Sequence, residues 1–302
     1  MTIPNIQYYQ HRARQYSSFA ACLCMFLGCL VFVGGWAFDI ELLRSLLPNL
    51  VSMKANTAFA FILSGAALAL HHSQLPRFWA QLISVLVLLI GGLTLLEIIF
   101  DLHFGIDELF FADPYTVHGV AGRMATVSAI CFILVGSALL TLKSQLTHWR
   151  WFTNSCAVLV LINTFITILG YLYGINSLYQ VSGYNPMAIH TALLFFIIAI
   201  GLIGFQPDQG FMRLVTADSS AGVLIRRLLP AVMFMPPLLG WLTFKGQQLS
   251  WYDISFGWAL FAASNIFVFS LLVWWVARAV EQAENDKEKA EKISSWQQAI
   301  LN

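Results

Sequence analysis

Eight apolar runs, each of at least about 17 residues, dominate this chain and leave it few ways to fold. A bilayer core about 30 Å thick offers no partners for backbone polar groups, so runs of this length cross it as α-helices. Hydrophobic residues make up 59% of the 302 residues and charged residues only 10%, which excludes an ordinary soluble domain. The sequence therefore predicts an all-α integral membrane bundle of eight spans. They lie at 17–37, 55–71, 78–100, 125–142, 152–172, 187–205, 228–244 and 255–279.

Three of the runs begin with imperfect copies of one motif, which starts at Met53, Met124 and Met187. Each methionine is followed by a hydroxyl residue after four positions, alanine after five, phenylalanine after eight and a small residue after twelve. The matching residues are Thr57, Ala58, Phe61 and Gly65, then Ser128, Ala129, Phe132 and Gly136, then Thr191, Ala192, Phe195 and Ala199. These offsets recur on one helical face, with small residues where another backbone can approach, so the motif predicts a packing seam.

A second motif precedes the first in every copy and marks the turn between two helices. Its copies are Phe38-Asp39-Ile40, Phe104-Gly105-Ile106 and Tyr173-Gly174-Ile175. Two linked motifs that recur in the same order indicate an internal repeat. The sequence therefore predicts three tandem helical hairpins followed by a final helix pair.

The distribution of basic residues predicts the orientation of the chain. Nine Lys and Arg residues lie at one set of helix ends and four at the other. Short cytoplasmic loops are enriched in Lys and Arg, so the first set and both termini are predicted to be cytoplasmic. The opposite loops, 101–123 and 172–186, are too short to form a domain and carry aromatic and polar residues. We expect them to cap the bundle or to line a shallow pocket.

The last apolar run does not end at the membrane boundary. It passes Trp275 and continues into a segment without Gly or Pro in which eight of the twelve residues 281–292 are charged. This pattern predicts a helix that projects into the cytoplasm, with a thin seam for a two-stranded coiled coil and hence a homodimer. The seam residues are Ala283, Ala290, Ile293 and Ile300. Pro236 and Pro237 should bend the preceding span, and we predict that they transmit a signal together with Trp275 and the seam.

These features divide the chain into three parts: a cytoplasmic segment at 1–16, a transmembrane domain at 17–280 and a cytoplasmic signalling helix at 281–302. The helical pattern reaches Asn302 without a C-terminal glycine or cap. We therefore expect a further domain beyond this residue. An ordinary solvated tail is the alternative interpretation of the charged segment.

Polar residues inside apolar runs are costly in lipid unless they have partners, so each is a candidate functional residue. Glu97 is the acidic residue placed within the hydrocarbon region, one turn before Asp101 and near the outer surface. Glu97 and Asp101 are predicted to form a ligand pocket in the outer leaflet, together with Asn56, His190 and Thr191. Hydrogen bonding between helices is the structural alternative for each of these side chains.

Three histidines, His103, His118 and His190, fall at the predicted outer end and form a candidate site for a metal ion or haem iron. Their spacing is irregular and includes no i, i+4 pair, so we expect no cofactor. The five cysteines all lie inside apolar runs and give no disulfide framework. A net charge of +1 argues against nucleic acid as a partner. No nucleotide-binding or hydrolase motif occurs in the sequence, so no catalytic residue is predicted.

Three long stretches carry a resemblance to a known family. They read GWAFDIELLRSLLPNLVSMKANTAFAFILSGAALAL, MAIHTALLFF and LIRRLLPAVMFMPPLLGWLTFKGQQLSWYDISFGWALF. These strings resemble the polytopic N-terminal sensor region of bacterial signalling proteins, in which eight helices precede PAS domains and a histidine kinase, a diguanylate cyclase or a cyclic-di-GMP phosphodiesterase. The ending SSWQQAILN is similar to the helix that opens a PAS domain in such proteins.

The resemblance implies a dimeric receptor module of the bacterial inner membrane that relays a small-ligand or membrane-state signal through its last helix. The catalytic domain would lie beyond Asn302, so the resemblance assigns no active-site residue to this chain. Two other classes stay open at this stage. One is a transporter or channel, and the other is a membrane redox sensor that binds haem or a metal.

Overall fold

The computed structural model describes residues 6–46, 50–116, 119–178, 185–217 and 219–301. Every regular element in these ranges is helical, which confirms the predicted all-α class. A π-helical stretch, Leu30–Ala37, prolongs the first helix, and a 3-10 turn, Asn176–Leu178, follows the sixth. The α-helices are α1 (Ile6–Cys29), α2 (Glu41–Ser45), α3 (Ala55–His72), α4 (Arg77–Phe100), α5 (Thr126–Thr141), α6 (Thr147–Tyr173), α7 (Ile189–Phe205), α8 (Gly210–Thr216), α9 (Ser220–Gln248) and α10 (Ile254–Leu301).

Five of the described helices are long and apolar enough to cross a membrane. They are α1 with its π-helical stretch, α4, α6, α9 and the first part of α10. The number rises to six when α7 and α8, which meet at 79°, count as one broken span. α3, α5 and α7 have only 18, 16 and 17 residues, and much of each is buried. These helices are consistent with a multi-pass membrane protein, but the described residues do not confirm the eight predicted spans.

The three repeats start in the same register. α3, α5 and α7 each begin two residues after the motif methionine, and the residue before each helix has an extended ψ of 153°, 144° or 148°. The first turn of each helix closes with the same bond, from the amide of the motif alanine to the carbonyl four residues earlier. These bonds are Ala58 N to Lys54 O (3.0 Å), Ala129 N to Ala125 O (3.0 Å) and Ala192 N to Ala188 O (3.1 Å). The three copies of the motif therefore begin their helices in the same way.

The phenylalanines of the motif meet at the centre of the repeats. The ring centroids of Phe61, Phe132 and Phe195 are 5.0, 4.6 and 4.6 Å apart, and all three side chains are fully buried. α3, α5 and α7 therefore form an inner layer around this aromatic triad, as the predicted packing seam requires. In lipid such a layer is stabilised by dispersion between close-packed atoms rather than by the exclusion of water.

The first helix of each hairpin packs outside this inner layer, and glycines permit the close approach. A Cβ atom added to Gly65 of α3 would lie 2.5 Å from the carbonyl oxygen of Ala21 in α1. One added to Gly91 of α4 would lie 2.7 Å from the carbonyl oxygen of Ala129 in α5. α6 packs against both α5 and α7. Small residues thus bring helix backbones together, which is how helices associate in membranes.

Gly136 provides a test of this packing. We expect Gly136→Ala to destabilise the protein by about 1–3 kcal/mol, because the added Cβ would lie 2.8 Å from the backbone nitrogen of Leu88. Gly92→Ala is the matched control, since nothing lies within 4 Å of its added Cβ. Helix propensity favours alanine at both positions by about 1 kcal/mol. Thermal unfolding in detergent measures both variants, and equal melting temperatures would contradict the close approach of α4 and α5.

Residues 1–7 and 213–302 form a compact unit distinct from residues 8–212. Its two long helices, α9 and α10, pack against each other. α9 contains Pro230, Pro236 and Pro237, yet it stays helical from Ser220 to Gln248, so these prolines do not interrupt it. Near the end of the apolar part of α10, the Arg278 guanidinium lies 3.9 Å from the ring centroid of Trp274.

α10 is one continuous helix of 48 residues. It includes the predicted transmission residue Trp275, whose ring lies 4.7 Å from the guanidinium carbon of Arg227 in α9. The four seam residues lie in its helical backbone, while their side chains fall outside the described part of the chain. These are Ala283, Ala290, Ile293 and Ile300.

Candidate ligand site at the methionine end of the repeats

The loop after α4 folds back over the first hairpin at the end where α3, α5 and α7 begin, here called the methionine end. Phe110 packs between two aromatic rings of that hairpin, with centroid distances of 4.7 Å to Phe59 and 5.2 Å to Phe32. Phe111 stacks on Trp36 at 6.3 Å. The described part of the loop at 101–123 therefore packs over the first hairpin.

A buried ion pair fixes the same loop to the start of α3. Lys54 Nζ lies 2.6 Å from Asp113 Oδ2, and both residues are buried. Thr116 Oγ1 accepts a bond from Lys54 at 2.7 Å and donates one to Asp113 at 2.6 Å, while the Gly122 amide donates a third at 3.0 Å. Burial alone would raise the pKa of Asp113, but the bonds from Lys54 and Thr116 outweigh it and lower this pKa below its ordinary value.

A second cation, Arg44 of α2, is also buried and joins the same two segments. It pairs with Asp39, and its guanidinium lies 3.8 Å from the ring centroid of Tyr115. The Tyr115 hydroxyl donates to Asp39 at 2.8 Å. The bonds from Tyr115 and Arg44 lower the pKa of the exposed Asp39 carboxyl. The Lys54–Asp113 pair therefore ties the first repeat to the loop of the second, and Tyr115 makes a second link through its contacts with Asp39 and Arg44.

A cavity of about 720 Å³ opens between these ion pairs. A volume of this size fits a small organic ligand. Its lining mixes two cations and one carboxylate with hydroxyl, amide and apolar groups. The described lining residues are Glu41, Arg44, Ser45, Leu50, Val51, Ser52, Lys54, Pro114, Tyr115, Thr116, Asn185 and Pro186. Such a site can hold a polar or charged molecule by direct hydrogen bonds.

Glu97 lies in a neighbouring buried network rather than in this cavity. Its Oε1 accepts from the Phe104 amide at 2.6 Å, and its Oε2 lies 3.9 Å from Arg123. Arg123 makes its closer ion pair with Asp107, at 2.7 Å. Burial raises the pKa of Asp107, and Arg123 offsets this effect only in part. The network joins the end of α4 to the start of α5, the second helix of the same hairpin.

The other predicted ligand residues are spread over the same end of the bundle. Asp101 is exposed and ends α4 with a φ of 51°. Asn56, His190 and Thr191 are buried in the first turns of α3 and α7. None of the five predicted residues is among the described residues that line the cavity. Their assignment as ligand contacts therefore stays a prediction.

Asn56 and His190 occupy the same repeat position, three residues after the motif methionine. The backbone of Arg44 lies near the His190 ring. Neither ring nitrogen of His190 forms a hydrogen bond within the described structure, nor does the amide nitrogen of Asn56. Both side chains therefore keep unused hydrogen-bonding capacity, and His190 does so close to the cavity residue Arg44.

Sequence reasoning missed the pairs that shape the cavity, although each contains a charged residue beside a repeat motif. Lys54 directly follows a motif methionine, and Asp39 lies in a turn motif. Their partners Asp113 and Arg44 carried no comparable signal, because Asp113 lies in an irregular loop and Arg44 in the short helix α2, both outside the repeat motifs. A charged residue at a fixed position in a repeat was the sequence signal that could have indicated these ion pairs.

The predicted metal ligands do not form a cluster in the described residues. His103 Nδ1 lies 3.3 Å from an Arg123 nitrogen, and His190 is buried elsewhere. His118 lies outside the described residues. Within the described ranges, no group of three His, Cys, Asp or Glu residues is arranged to hold a metal ion.

Comparisons with known protein families, curated proteins and solved structures found no match for this chain. The described residues form a helical bundle that includes several helices long and apolar enough to cross a membrane. A loop is held over the first hairpin by a buried ion pair, and a polar cavity lies beside that loop.

Proposed function

We propose that this chain is the membrane-embedded receptor domain of a bacterial signal-transduction protein. In this proposal it crosses the inner membrane eight times with both termini in the cytoplasm, and the cavity at the methionine end binds a small ligand from outside. α10 pairs with its copy in a homodimer as a coiled coil and relays the state of the bundle to a PAS domain and a kinase or cyclic-di-GMP domain. The observation that carries the proposal is the continuity of α10.

The length of α10 exceeds what a bilayer requires. Its 48 residues extend about 72 Å at 1.5 Å per residue, against about 30 Å of hydrocarbon. Residues Ile254–Gln282 are apolar enough to span, and the charged residues that follow belong in water. One helix thus joins the membrane to the aqueous phase without a break, so a shift or rotation at one end is passed to the other.

The cap supplies an element that a ligand could switch. The loop at 101–123 is held on the first hairpin by Lys54–Asp113, by Asp39 with Arg44 and Tyr115, and by aromatic packing. A ligand group that accepts hydrogen bonds from Lys54 in place of Asp113 would loosen this loop. Binding energy that differs between the held and loosened states is what shifts such an equilibrium.

A transporter is less well supported by the repeats. The three hairpins follow one another in the same direction, whereas many transporters use inverted repeats. The fully buried rings of Phe61, Phe132 and Phe195 fill the centre of the inner layer. A continuous helix into water, such as α10, also serves no evident step of transport.

Disulfide cross-linking in native membranes tests the dimer and its helix. Cysteines at the predicted seam, Ala283→Cys and Ala290→Cys, should cross-link two copies at least about fivefold faster than exposed Asn285→Cys and Lys289→Cys. The native chain is the blank, since its five cysteines lie outside α10. Equal rates at all four positions would refute the coiled coil.

The link between cavity and helix is tested in the Ala290→Cys background. Asp113→Asn weakens the hold on the loop, and we expect it to change the cross-linking rate about fivefold or more, as a coupling of about 1–3 kcal/mol requires. Asp208→Asn is the control, because this exposed carboxylate lies 4.0 Å from Arg14. If both variants cross-link at the native rate, the cavity does not control α10.

A further inference from the structure

A second cavity lies at the opposite end of the inner helices, where α3 and α5 end and α4 and α6 begin. It measures about 260 Å³, and its lining includes charged and polar side chains. Its lining residues are His71, Arg77, Gln81, Leu140, Thr141, Lys143, Ser144 and Trp149. No acidic residue is among these described residues.

The two cations of this cavity differ from those at the methionine end. Lys54, Arg44 and Arg123 each have a carboxylate partner, whereas neither Arg77 nor Lys143 has one within 4.0 Å in the described part of the chain. Arg77 is also the first residue of α4, whose N-terminus has no side-chain cap and no acidic residue in its first turn. Cations and a free helix N-terminus together create a positive potential that attracts an anion.

His71 supplies an independent sign of a ligand. It is 4% exposed, and its Nε2 lies 3.0 Å from the carbonyl oxygen of Leu139. A carbonyl only accepts hydrogen bonds, so Nε2 carries the hydrogen and Nδ1 of the neutral ring is an acceptor. Nδ1 is buried and has no hydrogen-bond partner among the described residues. A buried polar atom left in this state is unfavourable, and a ligand hydroxyl would supply the missing hydrogen bond.

We propose that this cavity binds a phosphate group that carries a neighbouring hydroxyl, as in the glycerol phosphate headgroup of an anionic phospholipid. Arg77 and Lys143 pair with the phosphate oxygens, and the hydroxyl donates to His71 Nδ1. Exposed Phe78, Trp79 and Trp149 flank the site, as aromatic residues do at the membrane interface. This position lets a lipid headgroup enter from the bilayer, while a soluble phosphate ester has the same chemistry.

Lipid titration of the full chain tests the proposal. The purified protein in phosphatidylcholine nanodiscs is titrated with phosphatidylglycerol, and binding is followed by native mass spectrometry and by the rise in melting temperature. We expect the double variant Arg77→Gln, Lys143→Gln to bind phosphatidylglycerol about tenfold more weakly, because it lacks two cations near the membrane surface. The control is the double variant Arg12→Gln, Arg14→Gln, which removes the same charge from exposed residues. It should change the affinity for phosphatidylglycerol less than twofold.

Further probes distinguish the source of the phosphate and the role of His71. Competition by soluble glycerol phosphate would identify a soluble ester as a ligand, and its failure to compete would identify the lipid. Phosphatidylmethanol has the same charge but no free hydroxyl, so it should bind about fivefold more weakly than phosphatidylglycerol. The proposal is overturned if the cavity variant binds phosphatidylglycerol as tightly as the native chain, or if phosphatidylmethanol binds equally well. Melting in phosphatidylcholine alone verifies that each variant folds.

Discussion

Phe132→Ala is expected to destabilise the protein by about 3 kcal/mol, the lower part of the range for such substitutions in cores. The reason is the position of the ring between Phe61 and Phe195, at centroid distances of 5.0 and 4.6 Å and without exposure. Removing it leaves a cavity that three helices cannot easily fill together. We expect the lower part of the range because lipid, rather than water, surrounds the bundle. The substitution then removes mainly dispersion contacts of the ring.

Thermal or denaturant unfolding in a fixed detergent measures this effect. Phe26→Ala is the matched control, because that ring is 63% exposed on α1 and should cost well under about 1 kcal/mol. Phe61→Ala and Phe195→Ala should each cost about as much as Phe132→Ala. Double variants should be non-additive, since the pairs are in contact. A Phe132→Ala variant as stable as Phe26→Ala would refute the triad as the centre of the fold.

The triad illustrates what the sequence can predict. The recurrence of phenylalanine eight residues after a methionine, in three copies, indicated one packing face, and the three rings do meet. The common start of the three helices followed from the same spacing. Both features are local in each copy, so periodicity alone is sufficient to find them.

The roles of the individual helices were harder to predict. Composition distinguishes α4 and α6 from the inner helices only weakly, because both sets are rich in apolar residues. Burial separates them, as α3 and α7 present buried residues on most of their length. The π-helical stretch Leu30–Ala37 had no sequence signal beyond its two glycines, one of which packs against the Leu43 side chain.

The site depended on contacts between distant parts of the chain. Lys54 and Asp113 are 59 residues apart, and Tyr115 and Asp39 are 76 apart. No periodic pattern records such a pairing, because it results from how one loop folds over another hairpin. Glu97 is buried at the end of α4, and its contact with Arg123 could not be predicted from spacing.

Lys54→Met is expected to destabilise the protein by about 3–5 kcal/mol at neutral pH, the usual cost of removing one partner from a buried ion pair. Asp113 would keep its bonds from Thr116 and the Gly122 amide, but its charge would be buried without a cation. Replacing both members, as in Lys54→Met with Asp113→Leu, should restore most of the loss. Thermal unfolding in detergent measures the series. Arg14→Met is the control, because its pair with Asp208 is exposed and worth less than about 1 kcal/mol.

The stability of the Lys54→Met variant should depend on pH, and the direction of this dependence distinguishes the loss of a charge from the loss of packing. In the native protein the pKa of Asp113 is lowered, so its contribution to stability is present above the unfolded value of 3.8 and is lost as the pH falls through the folded value. Without Lys54, burial becomes the dominant influence and raises this pKa instead. The variant should therefore gain stability, relative to the native protein, as the pH falls from neutral towards 3.8. A stability difference between the two that stays constant with pH would show that Lys54 acts by filling space, and that the loop cap is not held by charge.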